Sequence, residues 1–325
     1  MAENLTFHFE GALAETHQMN FYEAARFQYA AARLMVKLAQ FRRAGKFVQK
    51  ITNNSNFNIN LKSQEDGSFN INIEDEGQSQ KEEKFVDVSL ADLVAYVSER
   101  VIEKIDESSV SSSALAKLGD ITDSDHGDSS TILTRLIQEV DEGRTSLSDL
   151  PEQVRELVKR RVAETYRERR LSESKAAISK IDFARSQKLI AMSAPLMSEM
   201  ATALRKSANT LEVTSSVGAE NNSVLFLNRQ MAQEIETASV DKDITPLLGD
   251  ITQFNKDNGW GKLKIANVAK AVSFSIPYDI LPAIKSTIIE NMKKDLVYLQ
   301  TYFVRDRSDE LIRLIAVGVL PTPKQ

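Results

Sequence analysis

Apolar and polar positions along this chain change period several times, and each change marks a predicted element. Leu5, Phe7 and Phe9 alternate with polar residues, the period of two expected of a half-buried strand, and Gly11 ends the run. A long helix is predicted next. Asn20 is placed to cap it with Glu23 three residues on, and Phe27, Ala31, Leu34, Leu38 and Phe41 recur at helical spacing along one face. Arg42, Arg43 and Lys46 crowd around Gly45, where cations suit the carbonyl end of a helix dipole.

A tetrapeptide then occurs twice, as Phe57-Asn-Ile-Asn60 and Phe69-Asn-Ile-Asn72, with Gln64-Glu-Asp-Gly67 between the copies. This predicts a β-hairpin turning at Asp66-Gly67. Phe57, Ile59 and Leu61 match Phe69, Ile71 and Ile73 as an apolar face, while Asn58, Asn60, Asn70 and Asn72 line the other. Water is the ordinary neighbour of such polar positions, and ligand recognition is the sharper alternative. Residues 75–84 lack apolar side chains and read as a loop. Ser89 and Asp92 form a capping box for a helix carrying Leu90, Leu93, Val94, Val97, Val101 and Ile105.

The serine run 108–113 and the acidic stretch Asp120–Asp128 place a boundary near residue 110. From 129 to about 210 the pattern is helical. Ile132, Leu133, Leu136, Ile137 and Val140 form one stripe, and Pro151 starts the next helix. A further helix runs through Ile178, Ile181, Leu189 and Ile190 towards Pro195, with a restart over 196–204. Beyond Leu211 the period returns towards two: Val272, Phe274 and Ile276 alternate, and 296–304 and 311–320 are rich in strand formers. Asp257-Asn-Gly-Trp-Gly261 reads as a turn, and Tyr278 to Lys294 as an amphipathic helix. The expected class is α+β: an α+β domain with a hairpin over 1–110, a helical region over 111–215, and a small β-barrel-like domain of the OB or SH3-like kind over 216–325.

Composition narrows the chemistry. Among 325 residues there is no cysteine, which removes disulfides, thiolate metal sites and cysteine nucleophiles. The 46 acidic and 41 basic side chains leave a net charge of -5, which argues against a wholesale electrostatic grip on nucleic acid. The first ten residues lack the features of a secretory signal, and the apolar run 314–320 is far shorter than the roughly 20 residues a membrane-spanning helix needs. A cytoplasmic protein without membrane contact is expected.

Of the three histidines, His8, His17 and His126, none has zinc-hydrolase spacing, and His17 with Glu15 is the most suggestive pair. Asp120, Asp123, Asp125 and Asp128 invite a divalent cation, but an EF-hand starting at Asp123 would need glycine and glutamate where Asp128 and Thr134 stand. No phosphate-binding, dinucleotide or serine-hydrolase motif occurs, so no catalytic residue, metal or cofactor is assigned. Arg155, Lys159, Arg160, Arg161, Arg167 and Arg170 make one stretch locally basic. Glu156, Glu164 and Glu168 are interleaved, so pairing on a solvated helix face competes with phosphate contact. Trp260, the sole tryptophan, is read either as a plug folded over the barrel end or as a contact point.

The strand with Gly11, Ala14 and His17, the segment Gly67-Ser-Phe69, and the stretch from Leu248-Gly-Asp-Ile251 through Val319 resemble an uncharacterised bacterial family. In that family an α+β domain precedes a small five-stranded barrel. The resemblance implies architecture and, because such proteins are often met beside anti-phage or mobile-element genes, a defence-associated role. The expected function is non-enzymatic binding or adaptor activity towards a protein partner or a second copy. A nucleic-acid-binding component using residues 155–170 and the barrel is the second reading, and a hydrolase without familiar motifs the third.

Overall fold

The computed structural model describes residues 3–48, 50–52, 59–61, 69–75, 84–104, 129–142, 144–217, 220–266, 270–294 and 296–321. Strand β1 (Glu3–Glu10) buries Leu5, Phe7 and Phe9 on one face, as its alternation predicts. Helix α1 (Phe21–Ala44) lays Phe27, Ala31, Leu34, Leu38 and Phe41 against them. Asn20 caps α1, its Oδ1 accepting from the N–H groups of Tyr22 and Glu23. The expected capping box is not closed by Glu23. That carboxylate accepts instead from the N–H and hydroxyl of Ser207, at 3.0 and 2.6 Å, and the Asn20 N–H donates to the Ser207 hydroxyl. A residue far along the chain thus completes the local cap.

Strands β2 (Ile59–Leu61) and β3 (Phe69–Asp75) pair antiparallel with Leu61 opposite Ile73. The hairpin is present, although Phe57, Asn58 and Asp66-Gly67 lie outside the described residues. Ile59 packs against the core, whereas Leu61, at the sheet edge, is exposed. Helix α2 (Leu90–Val101) opens with the predicted capping box between Ser89 and Asp92, and Glu3 adds bonds to the N–H groups of Leu90 and Ala91.

The helical middle comprises α3 (Ser129–Asp141), α4 (Glu152–Glu173), the short α5 (Lys175–Ile178) and α6 (Phe183–Ala201). Pro195 does not break the last of these. The break falls earlier, at residues 179–182, where Asp182 caps α6 by accepting from the Arg185 N–H. Packing of α6 along α1 and α2 holds the helix together across the proline.

Strands β4 (Thr210–Val217) and β5 (Glu220–Asn228) follow, and β4 pairs with β1 from Asn4–Ser216 to Glu10–Thr210. The first sheet therefore runs β2-β3-β1-β4-β5, and residues 210–228 belong to it rather than to the barrel. Local periodicity cannot disclose this, because the two central partners are separated by the whole helical middle.

After α7 (Arg229–Thr237) and β6 (Ser239–Val240) come β7 (Thr245–Phe254), β8 (Trp260–Ile265), β9 (Ala271–Ser275), α8 (Leu281–Asn291), β10 (Val297–Arg305) and β11 (Leu311–Leu320). β7, β8 and β9 form a meander, β11 joins β9 in parallel, and β10 bridges β11 back to β7. The result is a closed five-stranded barrel. A helix between the third and fourth strands and one parallel closure are the arrangement of OB-type barrels. Trp260 is buried at the start of β8, with its backbone N–H donating to Asn258 Oδ1, so it offers no contact surface; it alternates with the core-facing Leu263 and lies on the side of Lys262, whose ammonium sits over the indole, so it is not a plug inside the barrel. Among the described residues no helix is long and apolar enough to cross a membrane.

Candidate functional site: a polar sheet face and its cleft

Burying Leu5, Phe7 and Phe9 obliges Asn4, Thr6, His8 and Glu10 to occupy the other face of β1. Pairing extends these positions into polar rows. His8 stands opposite Glu212 on one side and Asn70 on the other, Thr6 opposite Thr214 and Asn72, and Asn4 opposite Ser216 and Glu74. Asn60 continues the last row from β2 and is exposed. Three of the four asparagines singled out in the hairpin thus fall in register with one polar sheet surface. Asn58 lies outside the described residues.

The face leads into a cleft of about 280 Å³ between the Gly11–His17 turn, the first half of α4 and Asn209–Thr210. Ala12 and His17 both take left-handed backbone, φ 52° and 56°, which costs non-glycine residues roughly 1–2 kcal/mol each. Gly11, at φ 78°, packs its α-carbon against Asn209; a methyl group there would come within 2.6 Å of the Asn209 Cβ. Lys159 Nζ reaches Glu10 at 2.8 Å and Glu212 at 3.6 Å, while His8 Nε2 lies 3.0 Å from the other Glu10 oxygen. The Glu10 carboxyl is held down to about 2, chiefly by the hydrogen bond from His8 and then by Lys159, with burial opposing both. Glu156 accepts from Asn228 and Arg155 donates to the Leu150 carbonyl. Two buried atoms of these side chains, Asn209 Oδ1 and Arg155 Nε, have no hydrogen-bond partner among the described residues.

A pH dependence follows. A carboxyl depressed from 4.5 to about 2 contributes stability that is complete above pH 4.5 and is lost as the pH falls towards about 2. Glu10→Gln should remove this part of the acid sensitivity, and an NMR titration of the Glu10 side chain should show a midpoint well below that of a free glutamate. A midpoint near 4.5 would contradict the His8–Glu10–Lys159 arrangement.

The basic stretch 155–170 is not a solvated face. Arg167 is 4% exposed, pairing with Glu99 at 2.9 Å and donating to the Val224 carbonyl. Arg170 grips Asp92 with two bonds of 2.8 and 2.9 Å, tying α4 to the start of α2. Arg160 donates to the Glu103 carbonyl, and Arg161 meets Glu164 and the Tyr278 hydroxyl. The interleaved positive charge serves contacts between elements. Amphipathic spacing alone disguised this, because charged residues on a helix normally indicate water. Glu99, held between Arg167 and Lys104, and Lys104, which donates to the Asn258 and Ile276 carbonyls at 2.7 Å, join the helical layer to the barrel.

Sequence reasoning did not single out Glu10, Asn209 and Thr210 for the cleft or Glu212 for the polar face beside it. Nothing local marks them, since their proximity is created by the β1–β4 pairing. Among the described residues no three histidine, aspartate or glutamate side chains gather in a way that could hold a metal ion. The fold defines an α+β protein with a closed five-stranded barrel and a polar sheet face. Comparison with protein-family models, with curated proteins and with solved structures finds no match to the chain. The resemblance built on Gly11, Ala14 and His17 accordingly stays an expectation of the sequence.

Proposed function

We propose that the protein is a non-enzymatic binding protein whose polar sheet face and cleft hold a small polar ligand. The observation that carries this reading is the cleft itself, where Glu10, Arg155, Glu156, Lys159 and Asn209 gather donors and acceptors of both charges around one opening beside the polar face. The volume suits a molecule of metabolite size. The groups able to exchange protons support binding over catalysis, because His8, Glu10 and Lys159 are engaged with one another and Glu10 stays ionised near neutral pH, unfit to donate a proton.

Thermal-shift screening against sugars, nucleosides, amino acids and their phosphates should find a class that stabilises the protein, by about 2.7 kcal/mol at a hundredfold excess over Kd. Asn209→Ala should weaken that ligand's binding about tenfold or more without unfolding the chain, since one lost hydrogen bond to a polar ligand costs on the order of 1.5 kcal/mol. Turnover of the ligand by the purified protein, or unchanged affinity in Asn209→Ala, would overturn the reading. A nucleic-acid role for residues 155–170 gains no support from contacts that commit their cations internally.

A further inference from the structure

Helix α1 turns an unusual surface outward. Phe21, Tyr22 and Tyr29 are 89%, 67% and 62% exposed. Arg26 and Arg33 sit over the rings of Tyr22 and Tyr29, 5.6 and 5.2 Å from the ring centres. Beside them run two grooves of about 550 and 440 Å³ that share Arg33 and Lys37 as a common wall. The first is floored by Phe47, Met192, Pro195 and Leu196, and the second by Tyr29, Val36 and Ile51. Pro195, which α6 accommodates without breaking, therefore faces this groove.

Charge around the grooves is one-sided. Arg33, Lys37, Lys50 and Lys188 line them, and the single lining carboxylate among the described residues, Glu199, is already paired with Arg26 at 3.3 Å. Among the described residues Arg33, Lys50 and Lys188 meet no carboxylate within 4.0 Å. An apolar floor within a cationic wall on a chain of net charge -5 is a local reversal of the overall field.

We propose that this face docks an acidic amphipathic segment of a partner protein, its apolar side chains entering the grooves and its carboxylates meeting Arg33, Lys50 and Lys188, while Lys37, whose ammonium donates to the Val48 carbonyl, only adds to the local positive field. Floors built largely of Met192, Pro195, Leu196, Val36 and Ile51 suit apolar side chains at helical spacing. A chain of net charge -5 gives a long phosphate backbone little general attraction, whereas a short acidic segment needs only this local patch. The cleft beside Glu10 plays no part, so this inference and the ligand-binding reading stand or fall separately.

The test uses fluorescence anisotropy of the full chain with a short labelled peptide of leucine and glutamate at helical spacing. Its glutamine counterpart and a labelled oligothymidylate serve as competing probes. The glutamate peptide should bind, more weakly as salt is raised, and the glutamine peptide should bind at least about tenfold less well. The double variant Arg33→Glu/Lys188→Glu should lose roughly tenfold or more in affinity for the glutamate peptide, with an unchanged circular dichroism spectrum, while Lys264→Ala, at an exposed position of the barrel, leaves peptide binding intact. Tyr29→Ala, also at the surface, should weaken binding without reversing charge. Absence of peptide binding, equal binding of the glutamine peptide, preference for the oligothymidylate, or indifference to the charge reversal would overturn the proposal.

Discussion

Replacing Glu99 by alanine should destabilise the protein by on the order of 3–5 kcal/mol, measured by urea or thermal unfolding. Glu99 is 2% exposed and lies 2.9 Å from Arg167 and 3.2 Å from Lys104, so its removal strands two cations inside the protein. Burial alone would push the Glu99 carboxyl up, and the two cations outweigh it and hold it low. For Lys104 burial lowers the ammonium pKa and Glu99 resists that fall. Without Glu99 the lysine should titrate lower still. The unfolded chain then binds more protons than the folded one over the alkaline range, so the variant should regain stability as the pH rises. Converting Glu99 and Arg167 together to apolar residues should cost less than the sum of the two single changes, because fewer unpaired charges remain. A loss below about 1 kcal/mol for Glu99→Ala would mean that this junction carries little of the stability.

Phe27→Ala is expected to cost about 3–5 kcal/mol, seen as a lowered denaturation midpoint with an unchanged slope. The ring is fully buried and meets Phe7 and Phe9 edge-on, with centres 5.4 and 4.8 Å apart. It is the main wedge between α1 and the apolar face of β1, whose opposite face carries His8 and Glu10. Phe27→Leu, which keeps most of the volume, should lose markedly less. Equal losses for the two variants would show that the site is not close-packed.

Elements governed by their own residues were legible in the chain. The alternation of Leu5, Phe7 and Phe9, the apolar stripe of α1, the Ser89–Asp92 box and the hairpin all appear where local chemistry puts them. So does the barrel, because its strands, its turn around Trp260 and its single helix follow one another with short connections. Errors arose where a local rule was overridden from outside. Pro195 breaks isolated helices, yet α1 and α2 hold α6 together around it. Glu23 is placed to close a cap on Asn20, yet Ser207 takes that carboxylate.

The candidate site illustrates the same division more sharply. Sequence determined that β1 would be two-faced, that asparagines would alternate through the hairpin, and that residues 155–170 would be basic. Only the tertiary structure decided that β4 returns from residue 210 to lie beside β1, aligning Glu212 and Thr214 with His8 and Thr6 and bringing Asn209 to Gly11. Only there do Lys159 and Arg155 become the wall of a cleft while Arg167 and Arg170 turn inward to Glu99 and Asp92. The physical reason is range. Periodicity and capping are settled within a turn or two of the chain, whereas a strand partner and a buried ion pair are chosen by the closure of a whole core, and their energies belong to residues that the sequence keeps far apart.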